Sequence, residues 1–174
     1  MVFLETHRLY FRPHQPQDEV GFVAMHTDPE VRRFVGGSPW SVQKAQARFR
    51  EQYLGQPTDI YGLWATVLKS EGTFIGSCGL RAPHGPHPPS LAFYLAHPYW
   101  AKGFASEAAR CFVDLAFGRL GLDRVAAEAQ EGHLASERIL AKMGFRLVSR
   151  ETVSASGRVI CHYDLSNPLC ASRW

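Results

Sequence analysis

Residues 91–112 read LAFYLAHPYWAKGFASEAARCF, and the fold turns on them. The apolar run at the start reads as a strand. A glycine-containing turn follows and opens a long helix over 103–120, in which Ala105, Ala108, Ala109, Phe112, Val113, Ala116, Phe117 and Leu120 form a broad apolar stripe. Gly121 stops it. The first backbone N–H groups of any helix lack an intrahelical partner, and here they belong to residues 102–106. With the positive end of the helix dipole they make a site for a phosphate or pyrophosphate. Gly103 permits close approach of the backbone, Ala105 is too small to block it, and Lys102 adds a positive charge. Many helices begin with a small residue, so this stretch alone leaves the ligand open.

Working outward, 90–95 is the strand that feeds the turn, and RAPHGPHPPS (81–90) before it is a stiff polar loop. Residues 61–68 and 73–80 are rich in β-formers and flank a Ser-Glu-Gly turn, the pattern of a hairpin. Residues 9–12 give a short first strand that stops at Pro13. Asp18 is a cap candidate for a helix over 18–25. A second short helix spans 30–35 and ends at Gly36-Gly37. A third follows Ser41 over 44–53, with Ala45, Phe49 and Leu54 on one face. Downstream lie a strand over 125–130 and a helix over 135–143 closed by Gly144. A last hairpin, 145–153 with 158–165, turns at Ser156-Gly157. The tail 169–174 has no clear pattern beyond its terminal Trp174, which either packs on a partner or frays. With no repeat or linker, this order predicts one α/β domain over 1–174 with a mixed, mostly antiparallel central sheet.

A length of 174 residues is enough to bury one sizeable core. The net charge of +3 comes from Lys and Arg scattered among Asp and Glu, which makes no basic stripe and argues against a nucleic-acid partner. Cys78, Cys111, Cys161 and Cys170 lack metal-type spacing and read as separate thiols in a reducing compartment. Charges interrupt the N-terminus where a signal peptide would be apolar, and no stretch approaches a membrane span. A cytoplasmic protein with no membrane partner is expected.

Four segments together carry a resemblance. Tyr99-Trp100-Ala101-Lys102-Gly103-Phe104-Ala105-Ser106-Glu107-Ala108 is similar to the W-G-K-G-Y-A-T-E-A segment of the GNAT superfamily of N-acetyltransferases. Thr6-His7-Arg8-Leu9-Tyr10-Phe11-Arg12-Pro13 resembles the T-E-R-L-x-L-R-P opening of its RimJ/RimL-like branch. Phe74-Ile75-Gly76-Ser77-Cys78-Gly79-Leu80 resembles the central L-I-G-x-x-G-L strand. The run from Ala135 to Phe145, ASERILAKMGF, resembles the second cofactor motif, A-S-x-R-V-L-E-K-L-G-F. The motifs fall in family order over residues 4–165.

The resemblance implies a GNAT-like fold whose sheet splays between the fourth and fifth strands, 90–95 and 125–130. It implies acetyl-CoA as cosubstrate, no metal, and a primary amine as acceptor, either a protein N-terminal α-amine of the ribosomal type or a small molecule. The pantetheine arm would bond near Leu95 and Ala96. The pyrophosphate would rest on the amides of Lys102, Gly103, Phe104, Ala105 and Ser106, with Trp100, Ala101, His133 and Ser136 also in the cofactor site and His133 at the place of a pantetheine contact. A backbone N–H between Leu95 and His97 would polarise the carbonyl. Ser136 matches the family Ser that protonates the leaving sulfur, although a helix N-cap is an equal use for it.

Two positions depart from the pattern. His133 stands where the family often has Asn, and Ser90 where it often has Glu at the start of the fourth strand. The usual carboxylate base therefore does not carry over. Glu128, His133, His97 and a water chain are the candidates, with His133 preferred because it adjoins the cofactor motif and histidine suits proton transfer near neutral pH. His97, where the family often has Pro, reads more readily as a turn residue.

His84 and His87 do not make a closed metal site by themselves. Trp40, Tyr53, Tyr61 and Trp64 are candidates for an acceptor pocket, with core packing the alternative, above all for Trp64. No acidic run supplies the groove that a polyamine or aminoglycoside would need. The two departures also admit a CoA-binding sensor with little catalysis. A nucleotide-binding protein is disfavoured, because neither phosphate-loop glycine pattern is present. The resemblance also allows a homodimer.

Overall fold

A computed structural model describes residues 2–168. Its strands are β1 (Leu4–Glu5), β2 (Leu9–Arg12), β3 (Gly62–Leu68), β4 (Thr73–Arg81), β5 (Ser90–Leu95), β6 (Arg124–Gln130), β7 (Arg146–Val153) and β8 (Arg158–Ser166). The helices are α1 (Glu19–Thr27), α2 (Pro29–Arg32), α3 (Val42–Arg48), α4 (Phe104–Asp114) and α5 (Leu134–Met143). Among the described residues the eight strands form one sheet in the order β1-β2-β3-β4-β5-β6-β8-β7. Every pairing is antiparallel except β5 with β6.

That parallel pair positions the site. It is in register only at Ser90↔Ala126 and Leu91↔Ala127. β5 stays paired with β4 as far as Gly76↔Leu95, while β6 follows β8 to Gln130↔Ile160. The sheet is thus mixed, mostly antiparallel and splayed, as expected. Because β1 adds a two-residue strand that sequence periodicity missed, the splay lies between the fifth and sixth strands.

β3 and β4 are buried along most of their length, because helices cover both faces. On one face α4 and the turn after it pack Ala108, Ala109, Phe112 and Ala116 against Leu9, Ile75, Leu80 and Val125. On the other, Phe22, Met25, Val31 and Phe49 pack on Ala65, Val67 and Phe74. Burying each such large side chain contributes about 1.5–3 kcal/mol. Gly76 keeps β4 close to β5: its φ is +153°, and a Cβ there would lie 2.0 Å from the Tyr94 carbonyl oxygen.

Asp18 does not cap a helix through its side chain. Its carboxylate accepts from both terminal nitrogens of Arg12 at 2.6 and 2.8 Å, in a buried bidentate pair. The long helix over 103–120 closes in a wider π-type turn, Leu115–Arg119, and α3 does the same at Phe49–Tyr53. Trp64 is core, stacked on Phe3 at 3.8 Å. Trp40 stacks on His26 at 4.4 Å. Cys78, Cys111 and Cys161 are free thiols, whereas Cys170 and the rest of the tail 169–174 lie outside the described residues. Among the described residues, no helix is long and apolar enough to cross a membrane.

Candidate active site

The turn from β5 into α4 is shaped by two positive φ angles, +59° at Ala101 and +81° at Gly103. An L-residue takes that conformation only at a cost in strain. Gly103 is the N-cap of α4 and contributes no side-chain cap to the first N–H groups of the helix. The helix start is braced from β2. The Glu107 carboxylate accepts from the Thr6 hydroxyl, the Arg8 amide at 2.8 Å and the Arg8 Nε at 2.6 Å. Arg8 also donates to the Lys102 carbonyl at 3.0 Å and lies over the Phe104 ring at 4.5 Å. Burial alone would raise the Glu107 carboxyl, but these hydrogen bonds and the Arg8 charge hold it below its usual range. Thr6 and Arg8 lie in one motif and Glu107 in another, and only the fold brings them together across about a hundred residues.

Beside this turn runs a groove of about 460 Å³, the size of a small-ligand site. Leu95, Trp100, Ala101, Gly103, Phe104, Ala105 and Ser106 line it on one side, with His133, Ser136, Arg138 and Lys142 on the other. Nine of the eleven residues expected to bind the cofactor therefore line it. Ala96 and Lys102 do not line it. The Ala96 N–H donates to the Ile75 carbonyl at 2.9 Å and its carbonyl accepts from Tyr99 at 2.9 Å, while the Lys102 ammonium lies 5.7 Å from the Tyr99 ring. The Leu95 carbonyl accepts from the Trp100 indole N–H at 2.8 Å. Arg138 and Lys142, one turn apart on α5, bring positive charge to the groove that was not foreseen.

The groove meets a smaller cavity of about 200 Å³ in the mouth of the splay, with His133 and Ser136 common to both. His133 is the N-cap of α5, and Ser136 sits three residues into the helix start. Ser136 is thus not the cap. Its Oγ instead lies 2.9 Å from His133 Nδ1 and the side chain is buried. The imidazole stacks on Phe34 at 4.1 Å and 8°. Burial holds its pKa below the usual range; Glu137 pulls the other way and Arg33 pushes the same way. Glu128 lines the small cavity from β6, half-exposed and 3.5 Å from His162. Ser90 lines it too, in the place of the expected carboxylate.

His97 begins a short 3₁₀ turn, exposed and 3.6 Å from Asp28. Trp40 and Trp64 line neither cavity. Tyr53 and Tyr61 border a separate open depression beside Arg81. His84 and His87 face each other across a loop bridge, and among the described residues no group of three or more His, Cys, Asp or Glu is placed to hold a metal.

Comparison with known proteins gives a consistent result. The model of the acetyltransferase (GNAT) domain matches residues 8–146. N-acetyltransferase p20 of Bacillus licheniformis is 27% identical over 172 residues, covering 95% of this chain and 96% of that protein. The FsC-acetyl coenzyme A-N(2)-transacetylase of Aspergillus fumigatus is 29% identical over 150 residues, 81% of this chain and 63% of that protein. Among solved structures, a GNAT-family acetyltransferase from Bacillus anthracis superposes with a TM-score of 0.82 at 19% identity, over 96% of this chain and 99% of that one. The ribosomal-protein-S5-alanine acetyltransferase of Vibrio fischeri does so with 0.68 at 16%, over 97% of each. The match covers well over half of the chain and falls on the turn, groove and sheet just described: this chain belongs to the GNAT family of N-acetyltransferases, acyltransferases that take their acetyl group from acetyl-CoA.

Proposed function

We propose that this protein acetylates a primary amine by direct attack of the amine on the thioester, with acetyl-CoA in the 460 Å³ groove and the acceptor in the 200 Å³ cavity. The observation that carries the reading is the Ser136–His133 pair, placed where the two spaces meet. The groove suits the cosubstrate: the free N–H groups of α4 and the cationic Arg138 and Lys142 fit a pyrophosphate, and Gly103 has no Cβ to obstruct it.

When bound, acetyl-CoA supplies an activated carbonyl. The protein's residues have to take one proton from the amine and give one to the sulfur. In this reading His133 Nε2 accepts the amine proton. The Nδ1–H passes its proton to Ser136 Oγ as Ser136 gives its own to the departing thiolate. The proton count closes, and the depressed pKa keeps His133 neutral and able to act as the base. Glu128 is held in reserve as a base acting through His162 or water.

The acceptor is either a small amine or, as the RimJ/RimL-like branch would imply, a protein N-terminal α-amine; the small cavity favours the former. Free thiols suit the cytoplasm. The exposed outer strand β7 offers an edge through which two copies can pair. The test is CoA release against an amine panel, with His133→Asn measured alongside across pH 5–9. A base role gives the variant a lower rate and no titration near the His133 pKa. An unchanged profile removes His133 from the mechanism.

A further inference from the structure

The walls of the small cavity are unusual in charge. Arg81 and Arg158 line it, and Arg32 stands directly behind its Gly36 wall: a Cβ on Gly36 would lie 2.6 Å from Arg32 Nη2. Arg32 is 5% exposed. Its Nε donates to the Ser38 carbonyl at 3.3 Å and its guanidinium lies 4.6 Å from the Trp40 ring, and neither partner carries charge. Arg158 is held by the Gln130 amide oxygen at 3.3 Å and the Ser156 hydroxyl at 3.2 Å, and Arg81 by the Tyr94 hydroxyl. Elsewhere Arg8, Arg12, Arg33, Arg50, Arg124 and Arg150 each meet a carboxylate within 4.0 Å. Among the described residues none of these three does.

Exposed arginines need no counter-ion, but a buried one without an anion bears a desolvation cost. Burial pushes the Arg32 guanidinium down, and the nearby Arg158 charge pushes it further. The one carboxylate in the cavity wall, Glu128, faces His162. Cations gathered without an anion around a cavity form a receptor for one, and the guanidinium fork matches a carboxylate.

We propose that the acceptor is a small amine that carries its own carboxylate, held by Arg158 and Arg81 with Arg32 behind Gly36, and that polycationic amines are rejected. This rests on the acetyltransferase reading and names the substrate class for it. The amine then lies toward His133 and Ser136, which share the cavity with the arginines.

The test uses the full chain with acetyl-CoA and follows CoA release. The acceptors are free amino acids, each beside its α-carboxamide and its decarboxylated amine, together with spermidine, an aminoalkyl phosphate and a short peptide with a free N-terminus. Carboxamides have the more acidic ammonium and would win on basicity alone. We expect kcat/KM for at least one acid to exceed its carboxamide by tenfold or more. Arg158→Gln and Arg81→Gln, both at accessible positions, should each reduce that preference about tenfold through KM, as loss of one charge-assisted hydrogen bond implies. Equal or faster turnover of the carboxamides, spermidine, the phosphate or the peptide overturns the proposal and leaves the acetyltransferase reading intact. If no amine is consumed, the acids are titrated calorimetrically into the CoA-loaded protein. Binding of acids over carboxamides, lost in Arg158→Gln, then supports the anion site while the catalytic reading falls. Absence of such binding overturns the anion site.

Discussion

The two halves of the site are built in opposite ways. The groove beside α4 is lined chiefly by one contiguous stretch, and in the proposed reading backbone carries most of its recognition, through helix N–H groups, a dipole and two residues of positive φ, with Arg138 and Lys142 adding charge. The cavity in the splay is made from six separate segments, the α2 end, β4, β5, β6, the start of α5 and β8. Backbone recognition tolerates many side chains and suits a ligand that every relative shares. Side-chain recognition changes with a few substitutions and suits an acceptor that differs from one relative to the next.

Four experiments put that contrast to the test. The largest effect is expected from Gly103→Asp. It adds a carboxylate to the proposed anion site, on a Cβ that would lie 3.3 Å from Arg8 Nη2, and forces a Cβ-bearing residue to φ +81°. Like charges in contact cost several kcal/mol, so acetyl-CoA affinity should fall about a thousandfold, read by calorimetry. Retained affinity would mean that the backbone of this turn is not the anion site.

Next comes pH. His26, under the acceptor side against Trp40 and near Arg32, has its pKa lowered to about 4, by burial first and then by the Arg32 charge. Because the folded pKa lies below the unfolded one, its contribution is fully present above about pH 6.5. It is lost as pH falls toward 4, because the unfolded chain takes up the proton first. Over that window the loss is about 3 kcal/mol. His14 and His133 are shifted in the same direction. Denaturant titrations between pH 7 and 4 should show the decline, and His26→Phe should flatten it. An unchanged slope would locate the titration elsewhere.

Ser136→Ala removes the hydroxyl 2.9 Å from His133. The expectation is a fall in kcat of about ten- to a hundredfold with acetyl-CoA affinity preserved. A parallel loss of affinity would assign Ser136 to the groove instead. The smallest effect belongs to Gly36→Ala, which pushes a methyl toward Arg32 Nη2. Acceptor KM should rise about fivefold, a loss of the size of a net hydrogen bond, without change in acetyl-CoA affinity. Equal disturbance of both ligands would mean that the two spaces are not independent.

The same contrast explains what could be read in advance. Strand 9–12 was placed to the residue, because alternation and Pro13 bound it on local grounds. The α4 turn was legible for a similar reason. Ser136 was found by its motif, yet its use as a cap was misjudged, since His133 takes the cap position and its ring takes the hydroxyl. Asp18 looked like a cap for the same local reason and proved to be the buried partner of Arg12. Trp40 looked like a pocket residue and instead backs the cavity through Arg32.

The sequence by itself determined the family, the single mixed sheet and the glycine turn that opens α4. The family rests on four motifs in order along the chain, and the sheet and turn on helical and strand periods, a glycine and small residues at a helix start. Only the tertiary structure decided where the splay opens and which groups face it. Arg32, Arg81 and Arg158 lie up to 126 positions apart (158 − 32) and share no period. Folding alone gathers them around one space, where Arg32 is buried and feels the charge of Arg158 through a medium that screens it less than water does.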